Sequence, residues 1–146
     1  MNDILRVVID TNHIMSAILS SRGASAKLID WMVKEKDYFR LLISEPIWAE
    51  YTTVANWLIP ETRHAEKDRI MNVLYSRAEL VESPIRLNVC SDETDNRFLE
   101  CAVTGAADYL VTKNIHDFPH KEYQKVKIVR IRQFLKVLED MESNPS

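Results

Sequence analysis

Residues Ile4-Leu5-Arg6-Val7-Val8-Ile9 form a nearly continuous aliphatic run that stops abruptly at Asp10-Thr11-Asn12. A strand with one wet face alternates apolar and polar side chains, whereas an unbroken run predicts a strand covered on both faces, as in the interior of a parallel sheet. Parallel neighbours cannot be joined by tight hairpins and need crossover helices. The rest of the chain must therefore alternate strands with helices, and it does.

A helix is expected from about His13 to Ser20. Past the breaker Arg22-Gly23 comes another, with Ser25 as its cap and Leu28, Ile29, Met32 and Val33 along one face. Tyr38 to Ile43 reads as the second strand. Ser44 caps a helix with Pro46 in its first turn and Ile47, Tyr51, Val54 and Leu58 as its stripe. Pro60 ends that helix, and a partner from about Glu61 to Arg77 completes a helical hairpin protruding between strands. A short strand at Leu80-Val81, an extended piece from Leu87 to Cys90 and a helix from Asp92 through Asp95 to Gly105 follow. Strands at Tyr109–Thr112 and Lys127–Ile131 and a helix from Gln133 to Met141 close the pattern. This order specifies an α/β fold, helices layered about a central, mainly parallel sheet. Residues 1–141 read as a single domain and 142–146 as a flexible polar tail, with no repeat or linker between.

Two glycines in 146 residues rule out a Gly-rich cradle for a nucleotide cofactor. Asp3 and Arg6 interrupt what a signal peptide would keep apolar, and no stretch reaches the ~20 residues of a membrane span. Cys90 and Cys101 make neither a CxxC pair nor a disulfide framework. A cytoplasmic protein is expected, with no membrane association. The formal net charge of −3 gives no global attraction to nucleic acid, so any such binding must use local basic patches or a cation.

The acids carry the chemistry. Ligands of open parallel sheets bind outside the carboxyl ends of the strands, where Asp10 and Asn114 both fall. Asp10 can be a helix N-cap, but Thr11 and Asn12 beside it can also orient its carboxylate as a ligand. Glu50 lies three residues after Ile47 and four before Val54, within the apolar stripe, where an unpaired carboxylate is costly. Asp92, Glu93 and Asp95 crowd one helix start; Ser91 or Asp92 suits the cap, while Asp95 shares a face with Leu99 and Ala102 and points inward. Asn114 and Asp117 follow the strand ending at Thr112 and are also turn formers. Carboxylates gathered at one sheet edge repel each other unless a cation lies between them. Hard oxygen donors suit Mg²⁺ or Mn²⁺.

Other chemistries lack support. His116 and His120 are separated by Pro119, which breaks the helix that would align them on zinc. Neither cysteine has a triad context and no GxSxG occurs. Phosphotransfer on Asp10 would need a second acid beside it and a lysine in another context than Lys113. Trp31, Trp48 and Trp57 read as core or subunit-contact positions.

Val7-Val8-Ile9-Asp10-Thr11-Asn12, Glu50 in a helix, Asp95-Asn96-Arg97-Phe98-Leu99-Glu100-Cys101-Ala102 and Leu110-Val111-Thr112-Lys113-Asn114 resemble, in order, the motifs of the PIN domain, and most of all the VapC-like components of toxin–antitoxin pairs. The resemblance spans essentially the whole chain. It implies a three-layer α/β/α fold and a metal-dependent endoribonuclease using Mg²⁺ or Mn²⁺, with an RNA substrate, an antitoxin partner and a homodimer. By that resemblance Asp10 and Asp95 are metal ligands and Glu50 binds the metal or orients a water. Thr11, Asn12, Thr112 and Asn114 are supporting polar residues. Many relatives carry Asp where this chain has Asn114; others read T-x-N-x-x-D-F, as here, so Asp117 would supply the missing charge as a catalytic residue. The RNA-holding residues expected are Lys121, Lys125, Lys127 and Arg130, within a cationic run that continues to Arg132 and Lys136. The alternative is a catalytically degenerate PIN-like module that binds RNA or protein, motivated by Asn114 and the acidic balance.

Overall fold

The computed structural model describes residues 4–144. Strand β1 (Leu5–Ile9) is the interior strand that its sequence demands: Val7, Val8 and Ile9 are all fully buried, although consecutive side chains point to opposite faces. Both faces of the sheet are therefore covered by helices. The other strands are β2 (Phe39–Ile43), β3 (Glu79–Leu80), β4 (Tyr109–Val111), β5 (Glu122–Tyr123) and β6 (Val126–Val129). They line up as β3-β2-β1-β4-β6-β5, parallel throughout except for the β5–β6 pair. The helices are α1 (Thr11–Leu19), α2 (Ala24–Met32), α3 (Glu45–Leu58), α4 (His64–Arg77), α5 (Glu93–Thr104) and α6 (Ile131–Ser143). Phe134 of α6 anchors one layer with its ring edge-on to Phe39 of β2 at 5.4 Å and tilted on Tyr109 of β4 at 5.3 Å.

Arg6, the polar exception in β1, spans to the sheet edge in a bidentate pair with Glu79, at 2.7 and 3.0 Å. That guanidinium holds the Glu79 carboxyl below its ordinary range.

Several expectations shift by local physics. Ser25 is not the cap of α2: Gly23 holds that position without a side-chain bond, and buried Ser25 places its Oγ 3.0 Å from His13 Nδ1. The second arm of the helical hairpin opens with a 3-10 turn, Glu61–Arg63, before α4 begins. The piece from Leu87 to Cys90 is extended but joins no strand. Its N–H groups are taken by α5 side chains instead: Leu87 donates to Glu100 Oε2 at 2.7 Å, and Val89 and Cys90 donate to Asn96 Oδ1 at 3.0 and 2.8 Å. Strand β5 was not anticipated, because its turn onto β6 uses Gln124 and Lys125 at φ 46° and 74° rather than the Asn or Gly that favour such turns. The closing helix begins at Ile131 and runs to Ser143, so residues 142 and 143, expected in the tail, are helical; Glu142 pairs with Lys34 at 3.1 Å. Residues 145–146 of that tail lie outside the described residues.

Candidate functional site

Parallel register assembles the site. Ile9 pairs with Val111, and Val111 with Val129, so Asp10, Thr112 and Arg130 leave the sheet side by side at one edge. Asp10 is buried and its carboxylate is fixed from three directions. Oδ1 accepts from His13 N–H at 3.1 Å, as the cap of α1. Oδ2 accepts from Thr112 Oγ1 at 2.8 Å and from Lys113 N–H at 2.9 Å. The cap and ligand readings of Asp10 are thus compatible, one oxygen for the helix and one facing the neighbouring strand. Thr112, fully buried, also accepts from the Asn114 N–H at 2.9 Å, which shapes the turn after β4.

The carboxylate is oriented by Thr112 and two backbone amides, not by the side chains of Thr11 and Asn12. Asn12 is exposed, and Thr11 Oγ1 is a buried hydroxyl without a partner among the described residues.

Asp95 stands in the first turn of α5, 4 % exposed, and its Oδ2 has no hydrogen-bond partner among the described residues. Its carboxyl is pushed up to about 7, first by burial, then by the charge of Asp92, by a hydrogen bond and charge from Asp117, and by Asp10. Asp92 caps α5, accepting from Thr94 N–H at 2.9 Å. Asp117 ends a 3-10 turn, Ile115–Asp117, whose geometry is set by its N–H donating to Asn114 O at 2.9 Å. Ligand oxygens of Asp92, Asp95 and Asp117 lie within 4.8 Å of one another.

Oxygens on opposite sides of a cation are about 4–5 Å apart for metal–oxygen distances of about 2.0–2.6 Å, so that spacing matches a divalent ion. All three donors are carboxylates, a set for a hard cation. The unpartnered oxygen of Asp95 in this acidic surround is what a bound cation would satisfy. The residues fit a divalent metal.

The structure therefore brings Asp95 and Asp117 together, with Asp10 near enough to act on Asp95, and adds Asp92, which the sequence reading set aside as a cap. The signal was present in the spacing: an N-cap and a residue three later on one helix start are neighbours. Of the three metal ligands expected together, only Asp95 is in the close group; Asp10 and Glu50 are not part of it. Glu50 is half-buried on α3, whose next residue, Tyr51, fixes the helix to the end of β1 by donating its hydroxyl to Ile9 O. Asn114 is half-buried, and its backbone, rather than its side chain, makes the bonds the structure shows.

Among the cations, Arg130 leaves β6 level with Asp10, whereas Lys125 sits in the turn before β6, at the opposite edge of the sheet. Lys127 pairs with Tyr109, two residues below that edge, and Lys121 lies across from Ile128 on the hairpin. A separate cleft of about 550 Å³ between the start of α3, the segment after β3 and the middle of α5 contains none of the clustered acids. Glu100 is buried there against Arg97 at 3.0 Å and Arg86 at 3.4 Å.

A family model described as PIN domain matches residues 6–116, which include Asp10, Glu50, Asp95 and Asn114 and end just before Asp117. The chain is also 30% identical over 135 residues to an uncharacterized protein, MJ1680, of Methanocaldococcus jannaschii, covering 77% of this chain and 83% of that protein. Its fold is similar to a crystal structure of VapBC2 from Rickettsia felis bound to a DNA fragment from their promoter. The TM-score is 0.56 at 16% identity, covering 86% of this chain and 98% of that one.

Proposed function

Because the chain belongs to the PIN domain family, we propose that it is a divalent-metal-dependent endoribonuclease and the toxin of a toxin–antitoxin pair. The observation that carries the metal-dependent reading is Asp95 Oδ2, a buried carboxylate oxygen without a partner, beside Asp92 and Asp117. Asp95, Asp117 and Asp92 would hold the metal, with Asp10 alongside, and Mg²⁺ or Mn²⁺ would suit these oxygens.

In this chemistry a bound divalent ion supplies a water of lowered pKa and positive charge facing the phosphate oxygens. The protein residues do the rest. Asp10 enters the reaction already immobilised by Thr112, His13 N–H and Lys113 N–H, so no ordering cost remains to be met at the moment of binding. Asp95, its carboxyl raised by burial and by its acidic neighbours, holds a proton that a bound cation would displace, which would couple metal uptake to proton release. Glu50 takes an outer position, orienting a water. Arg130, at the Asp10 edge, offsets the repulsion between an acidic pit and an RNA strand.

The same reading assigns a homodimer and an antitoxin as partners, in the cytoplasm. Trp57 is 72% exposed and Tyr75 64%, on the two arms of the α3–α4 hairpin, and apolar surface of this kind is usually covered. No described helix is long and apolar enough to cross a membrane. A single sedimenting species of ~17 kDa at micromolar concentration would remove the dimer.

Asn114 favours a second reading, a catalytically degenerate module that binds RNA or protein. One experiment separates the two. Single-stranded and structured RNAs are incubated with the protein in Mn²⁺, in Mg²⁺ and in EDTA, beside Asp95→Asn. Cleavage that needs the metal and vanishes in Asp95→Asn establishes the nuclease; intact RNA in every lane, with binding retained in EDTA, establishes the module.

A further inference from the structure

The cationic run of the C-terminal segment divides in three dimensions. Arg132 and Lys136 lie on α6 and face the start of α2, away from the β5–β6 hairpin that carries Lys121, Lys125 and Lys127. Together with Arg22, Lys27 and Trp31 they line a cleft of about 340 Å³ between the two helices. Four cations face one carboxylate, Glu139, in a protein whose net charge is −3. Among the described residues Arg22, Lys27 and Arg132 make no ion pair; Lys136 makes an exposed one with Asp140 at 3.1 Å. Such exposed pairs contribute little and exchange readily for a phosphate.

Two further features suit a nucleic acid strand. Trp31 lines the cleft with its ring held edge-on to Tyr38 at 5.0 Å and Lys34 Nζ 4.1 Å from the ring centroid, a part-exposed aromatic surface on which a base stacks by displacing that surface ammonium. The start of α2 opens into the cleft with no side chain among the described residues capping it, an arrangement that suits an anion. Both helices of the cleft also begin near the sheet edge that carries Asp10. Arg130 stands level with Asp10 at the sheet edge, and Arg132 follows two residues later in the first turn of α6. On the other side, Ser25 in the first turn of α2 touches His13, three residues after Asp10.

We propose that the α2–α6 cleft is a second RNA subsite, which holds phosphates and a base of the single strand flanking the bond at the acidic site. The subsite rests on the ribonuclease reading for its purpose, but its binding is separable from cleavage. Its contacts are to backbone and stacked base, so it confers length dependence rather than sequence choice.

The test uses Lys27→Ala/Arg132→Ala, two exposed positions whose side chains make no hydrogen bond among the described residues, with unchanged circular dichroism as the folding control. Binding of a fluorescent ~12-nucleotide RNA is titrated against salt, with single-strand slopes of about −0.7 per phosphate contact. The double variant is expected to lose about 1.4 from the magnitude of that slope and roughly tenfold in affinity. In Mn²⁺, the ratio of kcat/KM for the ~12-mer over a ~4-mer should fall by a similar factor. An unchanged slope and an unchanged ratio in a protein that cleaves RNA overturns the subsite and spares the nuclease. A wild-type protein that cleaves no RNA, yet shows the Lys27/Arg132-dependent slope, overturns the nuclease and keeps the subsite.

Discussion

Asp10 and Thr112 are 102 positions apart in the chain and 2.8 Å apart in space, and their hydrogen bond ties a site carboxylate to the neighbouring strand. Thr112 is fully buried, so its hydroxyl is an orienting group and nothing else can replace it from solvent. Thr112→Val keeps the shape and removes the donor. Supporting groups of this kind are typically worth ~10–100-fold in metal affinity or activity. Calorimetric titration with Mn²⁺ should show weakening in that range, with the fold intact by circular dichroism; a wild-type isotherm would mean the two amide N–H groups hold Asp10 on their own.

Asp95 gives the metal-free protein a pH dependence. Its carboxyl, raised from 3.8 to about 7, holds a proton in the folded state that the unfolded chain would have lost. The associated stability is fully present below about pH 4 and is lost as pH rises through 7. His13 runs the other way: burial lowers its pKa below 6.5, so its cost appears only as pH falls beneath that value. Between pH 6.5 and 8 the carboxyl acts alone of the two. In EDTA the melting temperature should drop across that window by roughly 2–3 °C, and Mn²⁺ should restore most of it at pH 8. Asp95→Asn should flatten the profile; an equal slope in the variant would remove Asp95 as its source.

The sequence made β1 and Asp10 legible because a nearly continuous β-branched apolar run suits the interior of a parallel sheet, and such a strand delivers its next residue to the ligand edge. Asp117 was legible as an acid three residues beyond Asn114. Asp92 was not, because a helix cap and a cation ligand require the same residue at the same place. The Leu87–Cys90 piece was legible as extended, but not where its hydrogen bonds go, because its N–H partners, Asn96 and Glu100, are helix side chains that no local pattern announces. The cationic run was visible as charge, but its division between hairpin and α2–α6 cleft depends on the β4–β6 register.

Gly105 follows α5 for a steric reason. Its φ of −83° is open to any residue, and the left-handed turn position is Ala106, at φ 53°. A Cβ on Gly105 would meet Leu42 Cδ1 at 2.8 Å, Val81 Cγ2 at 3.0 Å and the Cys101 carbonyl at 3.0 Å. Gly105→Ala is therefore expected to destabilise the fold by about 1–3 kcal/mol through overpacking. Urea unfolding should show a lower midpoint at unchanged m; a more stable variant would show that Leu42 and Val81 give way freely.

Asp117 decides whether Asn114 leaves the site short of a ligand. The structure places Asp117 beside Asp95 and Asp92 through a 3-10 turn pinned by the Asn114 carbonyl, so the two positions are mechanically linked. Removing one carboxylate from a close group of three takes away a large part of the attraction for a divalent ion in a partly dehydrated pocket. Asp117→Asn should then weaken Mn²⁺ binding by about 100-fold or more and cut RNA cleavage in parallel. It should also lower the Asp95 carboxyl, because the variant loses the charge that helps hold the proton there. Asn114→Asp in the same chain adds a carboxylate one turn earlier, and the double variant should recover part of the affinity. Asp117→Asn that binds Mn²⁺ like wild type, with the Asp95 titration unmoved, would reduce Asp117 to a turn residue and leave the ion to Asp10, Asp95 and Asp92.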